Sequence, residues 1–538
     1  MTDKHCIEDR MKRFRKLASA RYCINEDAVH IGHLTLEALK DNPNAICQID
    51  ASTDQRETNA SVAKRSCRLA SAMAKSGMKP GDVVVIMGPN HLDLCIPYYA
   101  CNFGGFTLCA MDPTIGANDL VEIFPFLHPK MVFCQKSCEN KVMAAFKASK
   151  QYGDIVMFDE PGNDIKAFVE RHNGHHINYR PAEIDQTKVT AWLMMTSGTT
   201  GLPKVAVIPY ATLLNAIISW WSPFPEELES YLVMATLQWV SSLVNYTSSV
   251  LKGFTRIQSP EILTPDRLIK FINKYRPSTT VFTPYLLGKF LDLAEKHCDL
   301  TCFKSMVIGG GAMEKSLLDR FKKVCPAFLY LVYGMTELLA PIFDYDDNTP
   351  FGSTGKPQSK YEFMLVDDNG QALEGPNKTG ELWLRSNAFF TGYLNNEEET
   401  KKMITDDGWV KTGDMFYKDE QNFYYFVERK RLLIKHYGFL ISPLQMEEII
   451  KRHPSVSDVC VVGLPDPNFM EIPVAAVLRR NGDKVDPQEL ADLLRANMEG
   501  KKLNGAIVFV DSLPVTPSGK IHRAKVRELA LAAPRTLF

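Results

Sequence analysis

The segment Met195-Thr-Ser-Gly-Thr-Thr-Gly-Leu-Pro-Lys204 holds two glycines, four hydroxyl side chains and one terminal cation. Glycine lets the backbone approach a ligand and turn its N–H groups inward, the hydroxyls add donors, and Lys204 adds charge. Such a loop can cradle phosphate, although the same composition also suits a Ser/Thr/Gly surface loop. The apolar run 191–195 before it predicts a strand feeding the loop. The Gly-x-x-x-x-Gly-Lys-Ser/Thr order is absent, because Leu202, Pro203 and Lys204 follow Gly201. A Walker-type kinase or ATPase loses its main support.

Tyr330-Leu-Val-Tyr-Gly-Met-Thr-Glu337 gathers an aromatic, a glycine, a hydroxyl and a carboxylate. Tyr333 could stack on a base, Thr336 could donate to phosphate, and Glu337 could hold Mg²⁺, a hard ion that prefers oxygen. Any turn could carry these residues as well. Ile308-Gly-Gly-Gly-Ala312 follows an apolar run and allows either a tight turn or close approach to a flat ligand. The carboxylate of Asp414, in Lys411-Thr-Gly-Asp414, suits a ribose diol, and Arg429 can bind the same sugar or a phosphate. Lys520 ends Leu513-Pro-Val-Thr-Pro-Ser-Gly-Lys520, where the alternative is an exposed loop lysine.

Positioning such residues requires an alternating framework. Short β-branched runs at 83–87, 131–134, 281–283 and 305–308 sit between helical patterns such as 62–76 and 266–275. That alternation predicts an α/β architecture with largely parallel sheets. From about residue 350, short strands at 361–366, 380–385 and 422–427 replace it, followed by a helix–strand pattern from 445 to 510. The expected boundary lies near 428–431, giving a body of 1–428 and a smaller α+β cap of 429–538.

The chain has 538 residues, too many for one core, and 62 Lys plus Arg against 63 Asp plus Glu. A net charge of −1 gives no field for nucleic acid or anionic lipid. The 13 cysteines form no Cys-x-x-Cys pair, which reads as a reduced protein. The uncharged stretches 205–225 and 230–251 are interrupted by prolines or carry many Ser, Thr and Asn, so both predict buried α/β segments rather than membrane spans. With no apolar leader and a C-terminal Arg535-Thr-Leu-Phe538, the expected location is cytoplasmic. Asp344, Asp346 and Asp347 read as an acidic loop, and His172, His175 and His176 as a surface loop rather than a metal site.

Eight ordered segments, TSGTTGLPK, GGGA, YGMTE, GELWLR, GYLNN, DDGWVKTGD, ERKRLLIKHYGFLISP and PVTPSGKIHR, together resemble the adenylate-forming superfamily over nearly the whole chain. The resemblance is to the acyl-CoA synthetase, 4-coumarate CoA ligase and beetle luciferase branch. It implies a large N-terminal α/β domain with a small β-subdomain, and a mobile cap that rotates between two half-reactions. ATP, Mg²⁺ and coenzyme A are the implied cofactors and a small carboxylic acid the substrate. By motif position, Thr196, Ser197, Gly198, Thr199, Thr200, Gly201 and Lys204 would form the phosphate loop. Gly310, Gly311, Ala312, Tyr333 and Gly334 would line adenine and the acyl entrance, with Gly309 and Trp239 in the acid pocket. Thr336 would hold phosphate and Glu337 the Mg²⁺. Asp414 and Arg429 would contact ribose, Lys435 and Gly438 would bind on the cofactor side, with Gly438 in the thiolation loop, and Lys520 would be the adenylation lysine.

The chain departs from that pattern in places. Val205-Ala206 and Tyr210 replace a Gly-Val and a following His, and Gln238-Trp-Val-Ser-Ser-Leu243 replaces a His-rich pocket. Arg431, Tyr437 and Leu440 differ around the hinge and thiolation Gly. Nucleotide binding is expected to survive these changes, which bear instead on the acid and the CoA step. The expected activity is an AMP-forming acid–CoA ligase acting on a fatty or aryl acid. Adenylation for a carrier protein, a luciferase-like oxidation, and a weakly active acyl-AMP-binding regulator are the alternatives.

Overall fold

The computed structural model describes residues 5–196, 204–221, 228–436, 439–480, 483–498, 505–515 and 521–537. The chain divides into two compact units, Met1–Asp347 with Ser386–Asp406, and Asn348–Arg385 with Asp407–Phe538.

The first unit contains two α/β sheets. One has the strand order Asp154–Met157, Met131–Cys134, Val83–Met87, Thr107–Met111, Thr190–Thr196, Lys204–Pro209. Its first five strands pair in parallel, and the last closes an antiparallel hairpin. The other runs Phe328–Val332, Ser305–Gly309, Thr279–Phe282, Ser230–Leu232, Thr255–Gln258, Ile46–Asp50, Arg56–Thr58, parallel except at Arg56–Thr58. Runs such as Val83-Val-Val-Ile-Met87 are apolar at consecutive positions because helices cover both faces of a parallel sheet. Three of the helices start at threonine caps: Thr58 accepts from Ser61 N, Thr264 from Arg267 N, and Thr283 from Leu286 N ahead of Pro284 at the first helical position.

The two stretches weighed as membrane spans break into strand Lys204–Pro209 with helix Tyr210–Trp221, and strand Ser230–Leu232 with helix Val240–Lys252. Among the described residues no helix is long and apolar enough to cross a membrane.

In the second unit, Ser353–Pro357, Tyr424–Arg429, Val410–Lys418, Gly380–Arg385 and Glu362–Val366 lie side by side in an antiparallel sheet. The C-terminal part builds a mixed sheet around Met470–Arg479, which pairs antiparallel with Val456–Asp466 and parallel with Ala506–Val510. The first of these strands runs 10 residues and its antiparallel partner 11. Pro473 sits within the hairpin opposite Gly463, and Pro465 opposite Glu471. Helices Pro443–Ile450 and Pro487–Asn497 close a core of Ile449, Ile450, Val461, Val477, Leu490 and Leu494. Arg523 reaches Glu447 at 2.6 Å and Val461 O at 2.7 Å, so its partly buried guanidinium is paired.

The boundary expected at 428–431 falls inside this second unit, whereas the change of sequence texture near 350 coincides with a unit limit. Strand Tyr424–Arg429 is tied to the segment after it: Ser442 Oγ donates to Val427 O, and Leu444 N donates to Glu428 Oε2 at 3.2 Å.

Candidate active site

Strand Thr190–Thr196 and strand Lys204–Pro209 place Thr196 directly opposite Lys204 in an antiparallel register. The phosphate-loop motif therefore links two strands of a hairpin, unlike the strand-to-helix connection of a Walker loop. Ser197, Gly198, Thr199, Thr200 and Gly201 lie outside the described residues.

Two adjacent parallel strands, Ser305–Gly309 and Phe328–Val332, deliver the other first-unit residues from their carboxyl ends. In open α/β sheets that edge is where ligands bind. Gly309 pairs with Val332, and a Cβ on Gly309 would lie 2.8 Å from Val332 Cγ2, so the close pairing requires glycine there. Gly310 has φ +83°, a conformation that side chains resist, and Gly311 and Ala312 follow it. Next along the neighbouring strand come Tyr333, whose ring lies 6.0 Å from Phe343, and Gly334.

Thr336 and Glu337 form a short 3₁₀ turn ending at Leu339, a non-glycine residue at φ +64°. Glu337 is buried, at 6% exposure. The Tyr393 hydroxyl donates to Glu337 Oε1 at 2.7 Å, and Phe390 N donates to Glu337 O at 3.0 Å. Burial first, then the neighbouring carboxylate, push the Tyr393 hydroxyl up, which keeps it a proton donor. The Lys204 ammonium lies 5.1 Å from the centre of the same ring and forms an ion pair with Glu399.

One tyrosine thus joins the cation of the phosphate-loop motif to the carboxylate of the Thr-Glu motif. Its own placement comes from the backbone: Thr391 N donates to Val207 O, Leu394 N donates to Val205 O, and Tyr393 bridges antiparallel to Ala206. The segment 386–406 therefore adds to the open edge of the hairpin. Neither Tyr393 nor Glu399 stands out in the sequence as a site residue; the GYLNN segment is the available signal.

Trp239 caps the start of helix Val240–Lys252, beyond the carboxyl end of Ser230–Leu232, with 42% of its surface exposed. Beside it, Gln238 Nε2 donates to Asp112 Oδ2 at 3.1 Å.

In the second unit Asp414 and Arg429 stand opposite each other across paired strands, with Arg429 Nε 3.5 Å from Asp414 Oδ1. Asp414 is 5% exposed, and Gly413 before it has φ +69° with its N–H donating to Glu381 Oε1 at 3.2 Å. Lys430 contacts the other oxygen of Glu381 at 3.1 Å. Burial, then the Arg429 charge, lower the Arg431 guanidinium, while Asp414 opposes the shift. Lys435 is on strand Ile434–His436, its N–H donating to Glu471 Oε2 at 2.9 Å and its side chain exposed. Gly438 and Lys520 lie outside the described residues.

The donor set suits a magnesium ion. Mg²⁺ retains waters and substrate phosphates and uses one or two protein carboxylates, and Glu337 offers one, already oriented by Tyr393. Among the described residues there is no cluster of three or more His, Cys, Asp or Glu for a metal held by protein alone.

A family model for AMP-binding enzymes matches residues 36–394. The chain belongs to the AMP-binding enzyme family. The C-terminal domain model of the same enzymes matches residues 445–520. This family member is 27% identical to a luciferin 4-monooxygenase of Photinus pyralis over 510 residues, covering 91% of this chain and 92% of the relative. It is 25% identical to the peroxisomal OPC-8:0-CoA ligase 1 of Arabidopsis thaliana, covering 90% of each. The solved structure of ATP-bound MatB from Rhodopseudomonas palustris overlays with a TM-score of 0.83 at 20% identity, covering 93% of this chain and 99% of the other, so the two share a fold.

Proposed function

We propose that this protein is an AMP-forming acid–CoA ligase, which joins a carboxylic acid to AMP and then passes the acyl group to the thiol of coenzyme A. The observation that carries the reading is the tyrosine bridge, with Lys204 over the ring and Glu337 on the hydroxyl of Tyr393.

A free carboxylate is a poor electrophile, since its charge repels nucleophiles and oxide is a poor leaving group. Attack of its oxygen on the α-phosphorus of ATP, with pyrophosphate departing, replaces that leaving group by AMP. No protein nucleophile is required, so positioning and electrostatics carry the acceleration. Glu337 would hold Mg²⁺, which when bound neutralises phosphate charge. Lys204 takes the departing pyrophosphate, Tyr393 keeps both groups in register, and Asp414 with Arg429 addresses the ribose. Lys520 would bridge acid and α-phosphate as a mobile point charge. The relatives support this direction, since one is described as a CoA ligase and a fold neighbour as ATP-bound.

The test is a panel of fatty and aryl acids assayed for AMP and pyrophosphate with and without CoA. Acid-dependent AMP, with thioester when CoA is added, is the expected result. ADP without AMP would overturn the reading, and AMP with no CoA-dependent product would redirect it to another acceptor.

Trp239 is proposed to narrow the acid pocket, because it is a half-exposed indole in an uncharged segment beyond the sheet's carboxyl edge. Trp239→Ala is expected to raise kcat/KM for longer acids relative to shorter ones by about tenfold, the scale of one or two methylenes in an apolar pocket. Unchanged chain-length preference would remove Trp239 from the pocket.

A further inference from the structure

We propose that Glu399 is a positioning residue for the phosphate cation: it holds Lys204 in an ion pair and yields it to polyphosphate. The proposal rests on the ATP-dependent reading above. The pair is accessible, with 34% of the Lys204 side chain and 26% of the Glu399 side chain exposed. An incoming phosphate can therefore reach it.

Glu399 is rigidly placed. It sits in the first turn of helix Glu397–Met403, where its N–H donates to the capping Asn396 Oδ1 at 3.0 Å. In the same turn Thr400 Oγ1 donates to Asn396 O at 2.8 Å and accepts from Tyr393 N at 2.9 Å. Gly392 makes room for this contact, since a Cβ there would lie 2.8 Å from Thr400 Cγ2. The carboxylate that pairs with Lys204 and the ring beneath Lys204 are thus parts of one local frame.

Release is made easy by the partners that Glu399 retains. Lys402 Nζ lies 2.7 Å from Glu399 Oε1 and 2.7 Å from Glu398 Oε1. Glu399 also sits at a helix N-terminus, where a negative charge is favoured. When Lys204 leaves, Glu399 keeps a cation and a helix end, so a polyphosphate competes against one partly exposed ion pair. Such pairs contribute little, and freeing Lys204 from Glu399 should therefore shift phosphate affinity by about two- to fivefold.

The experiment measures dissociation constants for Mg-pyrophosphate and MgATP by calorimetry in the full chain, for a double-mutant cycle. Glu399→Gln is expected to tighten both ligands about two- to fivefold. The same substitution in a Lys204→Gln background is expected to have no effect, because there is no cation left to release. Glu398→Gln, which removes an equal charge from Lys402 but does not touch Lys204, is expected to leave both constants unchanged. Weaker or unaltered binding by Glu399→Gln overturns the proposal, as does tightening that persists without Lys204, which would report a general field. If the unsubstituted protein binds neither ligand, the ATP-dependent reading fails instead, so the two failures are distinct.

Discussion

Glu337→Gln is expected to slow acyl-AMP formation by about 10²- to 10³-fold, the loss typical of removing one preorganised charge-stabilising group from a phosphate or acyl transfer site. The substitution preserves shape. A glutamine carbonyl can still accept from the Tyr393 hydroxyl, so the turn 336–338 keeps its hydrogen bond, and the melting temperature should be little changed. What disappears is the negative charge that a hard cation requires. Pyrophosphate exchange measured across a Mg²⁺ series should show the loss, with part of it recovered at high Mg²⁺. Tyr393→Phe should cost less, about tenfold, since it removes one hydrogen bond to a charged acceptor but leaves the ring under Lys204. Unaltered exchange in Glu337→Gln would take the metal away from this carboxylate. A larger loss in Tyr393→Phe than in Glu337→Gln would mean that the tyrosine acts directly on substrate.

Lys520→Ala is expected to lower adenylation by about the same 10² to 10³ while sparing thioester formation from supplied acyl-AMP and CoA. The lysine would act on charge developing at the α-phosphate, a charge that no longer develops once the acyl-AMP exists. The chain on either side is held in place: Val515 bridges antiparallel to Ile521, and His522 N donates to Pro514 O at 2.8 Å. Loss of one side chain there should not unfold the second unit. On the proposed CoA-ligase reading, a bulky residue at Gly438 is expected to do the reverse, since the motif position of this glycine implies a role in the CoA step. Single-turnover kinetics separate the steps, with acid plus ATP in one arm and synthetic acyl-AMP plus CoA in the other. Equal damage to both steps in both variants would show that the segment does not alternate between half-reactions.

Much of this protein could be read directly from its residues. Apolar runs at consecutive positions mark strands covered on both faces, and 83–87, 131–134 and 305–308 all became parallel strands. Glycine where a side chain cannot fit is equally local information, and Gly309 and Gly310 bear it at a sheet edge. Motif order then carried the chain to the AMP-binding enzymes. These signals are legible because each depends on a residue and its near neighbours.

The tertiary structure decided what depends on distant segments meeting. Tyr393 reaches Glu337 across 56 residues, and no periodicity in either segment encodes that hydrogen bond. It arises because 386–406 returns to the first unit and adds backbone hydrogen bonds to the free edge of the hairpin strand Lys204–Pro209. The same return brings Glu399 to Lys204. In sequence Glu397, Glu398 and Glu399 are only an acidic helix start. An ion pair needs two charges within a few ångströms, and only the folded chain sets that distance.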